Sequence, residues 1–332
     1  MRFTPDADAE ELRAVVRDFL EHDAPGWERF AGELGVGALD VPEEFGGAGA
    51  SFREVAVVAE ELGRSLAPLP WFATSVLATG ALLAARGPAR DELLTRLAAT
   101  ATTATVVHDP GAIAAVENDD GWRLTGKASF VVDGASAEVV LVPTPVGLFA
   151  VEGITGEPMR TMDPNRPLAT LRFDGAPAML IDTTDVRESV RTRALAALAC
   201  EQTGGAAVAM EMSVAYAGQR VQFGRPIATF QAVKHRCADM AVRVEAARSA
   251  SLWAAAAIAE GAPDAAEAAA TAALVCGEAY AWVAAETVQV HGGIGFTWEH
   301  PAHLHVRRAA TSRVLLGEPH THRERLLTAL GI

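Results

Sequence analysis

The sequence is short of positive charge. Its 28 lysines and arginines stand against 42 aspartates and glutamates, a formal net charge of −14. Non-specific nucleic-acid binding needs a cationic field, so this balance argues against that class of partner. A few local arginines can still hold a small anion. Cysteine is scarce too. Cys200, Cys237 and Cys276 stand in apolar helical contexts without metal-ligand spacing, which reads as buried free thiols suited to a reducing compartment. Glu, Asp and Gly interrupt the alanine-rich stretches, so no uncharged apolar run is both long and oily enough for a membrane span. The opening Met1-Arg2-Phe3-Thr4-Pro5-Asp6 lacks the apolar core of a secretion signal. The expectation is a cytoplasmic protein with neither a nucleic-acid nor a membrane partner.

What is present is apolar periodicity. With 332 residues, half of them apolar, the chain can form two or three domains around a substantial core. Asp6 to Glu21 carries Leu12, Val15, Val16, Phe19 and Leu20 on a helical stripe, and Trp27 to Leu34 continues it. Leu39 to Gly49 is a glycine-punctuated turn, in which Glu43 and Glu44 read as a solvated charge pair. Phe52 to Leu66 and Trp71 to Leu97 read as further helices. Near Thr100 the period changes to that of strands, at Thr102–His108, Gly121–Gly134, Val139–Val142, Gly147–Val151 and Ala169–Phe173. From Ser189 the helical period returns, with one break at Gly261-Ala262-Pro263-Asp264. The expected class is α+β, mainly α: an N-terminal helical domain over 1–99, a small β-barrel or sandwich over 100–186, and a helical bundle over 187–332.

Two stretches carry chemistry. In Arg220-Val221-Gln222-Phe223-Gly224-Arg225-Pro226-Ile227-Ala228-Thr229-Phe230-Gln231, a guanidinium fork, an amide and an aromatic ring meet at a corner between two long helices. Pro226 stops the helix, which leaves Arg220 at a helix end, free to grip a phosphate through two parallel hydrogen bonds. Downstream lies Gln289-Val290-His291-Gly292-Gly293-Ile294-Gly295-Phe296, then Glu299-His300-Pro301 and Arg307-Arg308. The paired glycines allow a ligand to approach backbone closely.

Together these stretches resemble the signatures of the acyl-CoA dehydrogenases, flavoproteins that introduce an α,β double bond into acyl-CoA thioesters. The resemblance implies a C-terminal four-helix bundle and FAD as cofactor. It also implies that Arg220 meets the pyrophosphate, Gln222 and Phe223 sit beside it, Gln231 contacts the adenine end, and Gln289, Gly292 and Gly293 reach a flavin held mainly by a neighbouring subunit. It further implies an acyl-CoA substrate and an electron-transfer flavoprotein as acceptor.

Two departures qualify the resemblance. Where the family's middle domain has a Thr-Glu-Pro loop and a Trp-Ile-Thr strand against the flavin, this chain reads Val107-His108-Asp109-Pro110-Gly111 and Phe130-Val131-Val132-Asp133. Its own flavin half-site is therefore impaired. The family's Glu-Gly-Thr position for the proton-abstracting base falls here on Gly317, one residue before Glu318, and its alternative helix position falls near Ala194. Glu201 lies about two turns further along that helix, roughly 10 Å at 1.5 Å per residue, and reads as an internal partner for an arginine. Glu318 is the only catalytic candidate. His300, His303, His305, His320 and His322 read as surface or interface histidines, and His291 is assigned no chemistry. The expected protein is one subunit of a hetero-oligomer (α2β2) whose partner supplies the glutamate. The alternatives are a homo-oligomer using Glu318, a non-catalytic scaffold, and a flavin oxidase or monooxygenase.

Overall fold

The computed structural model describes residues 7–22, 26–109, 111, 113–329 and 331–332; Met1–Asp6 and Pro110, named above, lie outside them. The chain divides into two compact units, each assembled from separated stretches. One comprises the described residues up to Glu21 with Ala56–Ala67 and Leu195–Ile332; the other comprises His22–Val55 and Pro68–Ala194.

The second unit is built on a seven-stranded sheet. Its strands are β1 (Ala104–Val106), β2 (Ala114–Asn118), β3 (Gly121–Val132), β4 (Val139–Pro143), β5 (Leu148–Glu152), β6 (Glu157–Pro158) and β7 (Leu168–Asp182), in the order β1-β4-β5-β7-β3-β2 with β6 beside β7. The long β7 pairs with β3 over its first part and with β5 over its last. At the far edge, Thr105 Oγ1 of β1 donates to the Val132 carbonyl of β3 at 2.6 Å. The sheet thereby curls around one core of Leu124, Val140, Phe149, Leu171 and Phe173. The expected small β-barrel is present. β2 was not expected, because Ala-Ala-Val-Glu-Asn has little strand propensity of its own and is held by pairing with β3.

In the same unit, the stretch expected to be one or two helices is three pieces. A π-helical segment, Phe72–Ala78, runs into α3 (Thr79–Ala84), and Gly87, at φ +100°, turns the chain into α4 (Pro88–Ala99). All seven residues of the π segment are buried. Arg193 donates from Nε to the Val76 carbonyl and from Nη2 to the Ser75 carbonyl, each at 3.0 Å, while its fork also holds Asp40. Carbonyls displaced by the wider helix thus meet a charged donor instead of going unpaired.

The first unit is helical. It contains α1 (Ala7–His22), the second part of α2 (Phe52–Ser65), most of α5 (Arg187–Gln219), α6 (Gln231–Ala259), α7 (Ala265–His291), α8 (Ala302–Ser312) and α9 (Pro319–Ala329). The break at 261–264 falls between α6 and α7, where it was expected. Alanine-rich faces let the helices close on Ala206, Ala209, Met240, Val244, Tyr280, Val283 and Ala284. Where α2 meets α5, a Cβ on Gly63 would stand 1.9 Å from the Glu201 carbonyl oxygen, and one on Gly204 1.9 Å from that of Glu60. Backbone packs on backbone there. Around this crossing, Arg13 donates to Glu60 and Glu61, Arg17 to Glu61, and Arg248 to Glu60. α7 with its extension to Phe296 is the one described helix long and apolar enough to cross a membrane, and over half of its most apolar 18 residues are buried in the protein.

Candidate functional site

α5 ends at Gln219, and the Arg220 amide still donates to the Tyr216 carbonyl at 2.9 Å. Val221–Gln222 (β8) then pairs with Arg225–Pro226 (β9) in a two-residue hairpin. At its tip Phe223 and Gly224 take φ of +53° and +76°, costly for the aromatic residue. The hairpin is closed by the Ile227 amide on the Arg220 carbonyl at 2.8 Å. Arg225 covers the Phe230 ring at 4.3 Å, and Phe223 meets the same ring edge-on at 6.0 Å. Phe223 is 92% exposed.

Arg220 is exposed, and its guanidinium makes no hydrogen bond or ion pair within the described chain. Gln222 is exposed and donates only to its neighbour, the Val221 carbonyl, at 2.7 Å. Gln231 opens α6 and faces solvent, as does Gln289 in the last turn of α7.

After α7, Gly292 adopts φ +62° and ψ −135°, a conformation essentially reserved for glycine. A Cβ on Gly292 or Gly293 would meet nothing within 4 Å, whereas one on Gly295 would stand 2.8 Å from the Val288 carbonyl oxygen. Gly295 is thus fixed by packing, and the other two face open space. The two motifs are linked through rings. Tyr216, one turn before Arg220, stacks on His291 at 4.5 Å, and His291 stacks on His300 at 4.2 Å. His291 is buried, and its Nδ1 donates to the Thr287 carbonyl at 2.7 Å.

Glu318 lies apart from this assembly. It is exposed just before α9, with Oε2 3.2 Å from His320 Nδ1, and no described bond or ring contact joins it to the hairpin or the glycine turn. Glu201 is the internal partner that was expected, 2.9 Å from Arg308 with both side chains buried.

Several histidines and one thiol correct the sequence reading. His305 is buried, not superficial: its Nδ1 is 2.9 Å from the Tyr280 hydroxyl, and burial, helped by Arg308, pushes its pKa down to about 4. His322 is buried as well. Cys237 is only half-buried, while burial raises the Cys276 thiol to about 12.

In the other unit, β3 bulges between Ala128 and Val131, and Phe130 stands out at φ +60°, 58% exposed. Val131 and Val132 are in the core, and Asp133 is buried with its amide on the Pro167 carbonyl. Residues 130–133 therefore expose one apolar ring and no polar side chain. At the end of β1, burial holds the His108 imidazole below the usual histidine range; Asp109 opposes the shift and Arg191 adds to it.

Residues 192–331 match the family model of the acyl-CoA dehydrogenase C-terminal domain, and residues 6–100 match that of the N-terminal domain. The chain is 38% identical over 308 residues to the acyl-CoA dehydrogenase IpdE2 of Mycobacterium tuberculosis, covering 93% of this chain and 87% of that protein. The chain belongs to the acyl-CoA dehydrogenase family. Among solved structures it resembles the ChsE4–ChsE5 complex from Mycobacterium tuberculosis, with TM-score 0.90 and 27% identity over 100% of this chain and 99% of that one. A variant of the Tcur3481–Tcur3483 steroid ACAD gives TM-score 0.88 and 29% identity over 98% of each chain.

Acyl-CoA dehydrogenases are oxidoreductases that generally bind FAD. The hairpin and glycine turn fit that group: an unpaired guanidinium suits a pyrophosphate, and a backbone open at two successive glycines admits close approach. The exposed residue of 130–133 offers only apolar contact to an isoalloxazine ring.

Proposed function

We propose that this chain is one subunit of a heteromeric acyl-CoA dehydrogenase acting on a bulky, steroid-type CoA thioester. It lends Arg220, Gln222, Phe223, Gln231, Gln289, Gly292 and Gly293 to FAD held chiefly by an acyl-CoA dehydrogenase-type partner. The carrying observation is the contrast between the unpaired Arg220 beside an open glycine turn and the apolar outward face at Phe130. The two-component make-up of both structural relatives, and the steroid class of the Tcur3481–Tcur3483 one, support the same reading.

Bound FAD would supply the acceptor for a hydride from the acyl β-carbon. The residues of this chain bind and orient. Arg220 neutralises phosphate charge, Phe223 offers a flat apolar contact, and the glycines leave room for the dinucleotide. Removing the α-proton needs a carboxylate aimed at that carbon. Glu318 faces solvent beside His320, so we assign the base to the partner. By likeness to the family, the proposed electron acceptor is an electron-transfer flavoprotein, and the proposed location is the cytoplasm.

The test is flavin stoichiometry. Expressed alone, the chain is expected to purify without flavin; co-expressed with its partner, it is expected to carry one flavin per pair. A full flavin complement in the lone chain overturns the proposal. E318Q in the complex is expected to retain turnover, and its loss would reassign the base to Glu318.

A further inference from the structure

The histidines beside the glycine turn are held in fixed tautomers by backbone. A carbonyl only accepts, so His291 carries its proton on Nδ1, bonded to Thr287. An amide only donates, so His300 Nδ1 is unprotonated, accepting from the Ala302 amide at 3.2 Å. Ala302 is the first residue of α8, whose amino end carries the positive pole of the helix dipole. The His300 imidazole is thus neutral in the assembled turn, its ring centroid 4.2 Å from that of His291.

We propose that the His291–His300 pair is an acid-sensitive positioning latch for the Gly292–Gly293 turn. With the His300 ring neutral the turn is held in shape for the dinucleotide, and protonation of His300 releases it. The inference rests on the reading that this turn meets FAD.

Three consequences of protonating His300 act in the same direction. The proton must enter at Nδ1, which removes the bond from the Ala302 amide. The new cation sits at the positive end of α8. It also faces His291, whose other face is closed by Tyr216. From α8, His303 adds to the opposition, while its own ring meets Trp298 edge-on at 5.1 Å. The flanking segments carry further charges. Arg307 covers Trp298 at 4.6 Å, and on α7 Glu286 is paired with Arg236 of α6. Glu299 is exposed in the same loop. Burial, then His291 and His303, hold His300 below its ordinary value of 6.5.

The sign follows from proton counting. A released turn binds the proton more readily than a closed one, so the hold is complete above pH 6.5 and weakens as pH falls through the depressed value. One titrating imidazole limits the change to about tenfold between pH 7.5 and 5.5.

The experiment uses the reconstituted complex, with FAD dissociation followed by flavin fluorescence at pH 7.5 and 5.5. In the unaltered protein the affinity is expected to drop by up to about tenfold at the lower pH. His300→Asn keeps an acceptor for the Ala302 amide, and His300→Phe keeps a ring against His291; neither titrates. Each is expected to shift affinity by the same factor at both pH values, flattening the ratio. An unchanged ratio in both variants, or a flat profile in the unaltered complex, overturns the proposal.

A second measurement separates it from the FAD reading. Hydrogen-exchange protection of residues 292–302 in the lone chain, corrected for intrinsic pH dependence, is expected to fall below pH 6.5 and to become pH-independent in both variants. An acid response there without flavin binding in any complex keeps the latch and removes the FAD reading. Flat protection alongside pH-independent flavin binding removes the latch alone.

Discussion

Arg220 and Arg308 carry the same charge to opposite ends. The guanidinium of Arg220 bonds nothing in its own described chain, so Arg220→Ala is expected to change the stability of the lone chain by less than about 0.5 kcal/mol. In the proposed complex, the same change is expected to remove a charge-assisted grip worth about 1.5–3 kcal/mol, or roughly 10- to 100-fold in flavin affinity. Arg220→Lys recovers only part of this, because an ammonium cannot form two parallel bonds. Arg308 is the reverse case. Its partner Glu201 is buried with it, so Glu201→Ala takes a carboxylate away from a buried cation and is expected to cost about 3–5 kcal/mol in urea unfolding. Combining Glu201→Leu with Arg308→Met removes both charges at once and is expected to restore most of that loss. The sequence showed that Glu201 stood out of catalytic register and suited an arginine. It did not show which arginine, because nothing in residue spacing couples position 201 to 308.

Among the elements, legibility followed local chemistry. The break between α6 and α7 was readable because Gly-Ala-Pro-Asp cannot continue a helix. The barrel strands were readable where β-branched residues alternate. The π segment at Phe72–Ala78 was not, because seven consecutive buried residues carry no period. The Arg220 and Gly292 motifs were legible as residue types, whereas the Tyr216–His291–His300 stack that links them is a tertiary contact between helices distant in sequence. The α2–α5 crossing is similarly silent in sequence: Gly63 and Gly204 look like ordinary helix-weakening glycines, and only the carbonyls opposite them explain the absence of a side chain. Gly63→Ala is therefore expected to destabilise by at least the roughly 1–3 kcal/mol typical of overpacking, since the obstructing atom is main chain. A thermal melt would show the loss, and an unchanged melting temperature would mean that the helices can separate at little cost.

At the scale of the whole molecule, an acidic chain keeps the buried Glu60 carboxylate ionised by placing arginines against it. Burial alone would raise the Glu60 carboxyl, but Arg13 and Arg248 outweigh it and hold it below the ordinary value of 4.5. A group depressed in this way contributes stability above that value and loses it as pH falls through the lowered one. The urea midpoint of the lone chain is expected to be level from pH 7 to 5 and to decline below about 4.5; in Glu60→Gln the decline should be shallower. The same cluster sets how the protein responds to trimming. Arg13 and Arg17 both come from α1, so removal of that helix would spare every group proposed to meet FAD while leaving Glu60 and Glu61 with fewer counter-charges. A preparation nicked by proteases near its start would still pair and turn yellow with its partner, yet precipitate in mildly acidic buffer.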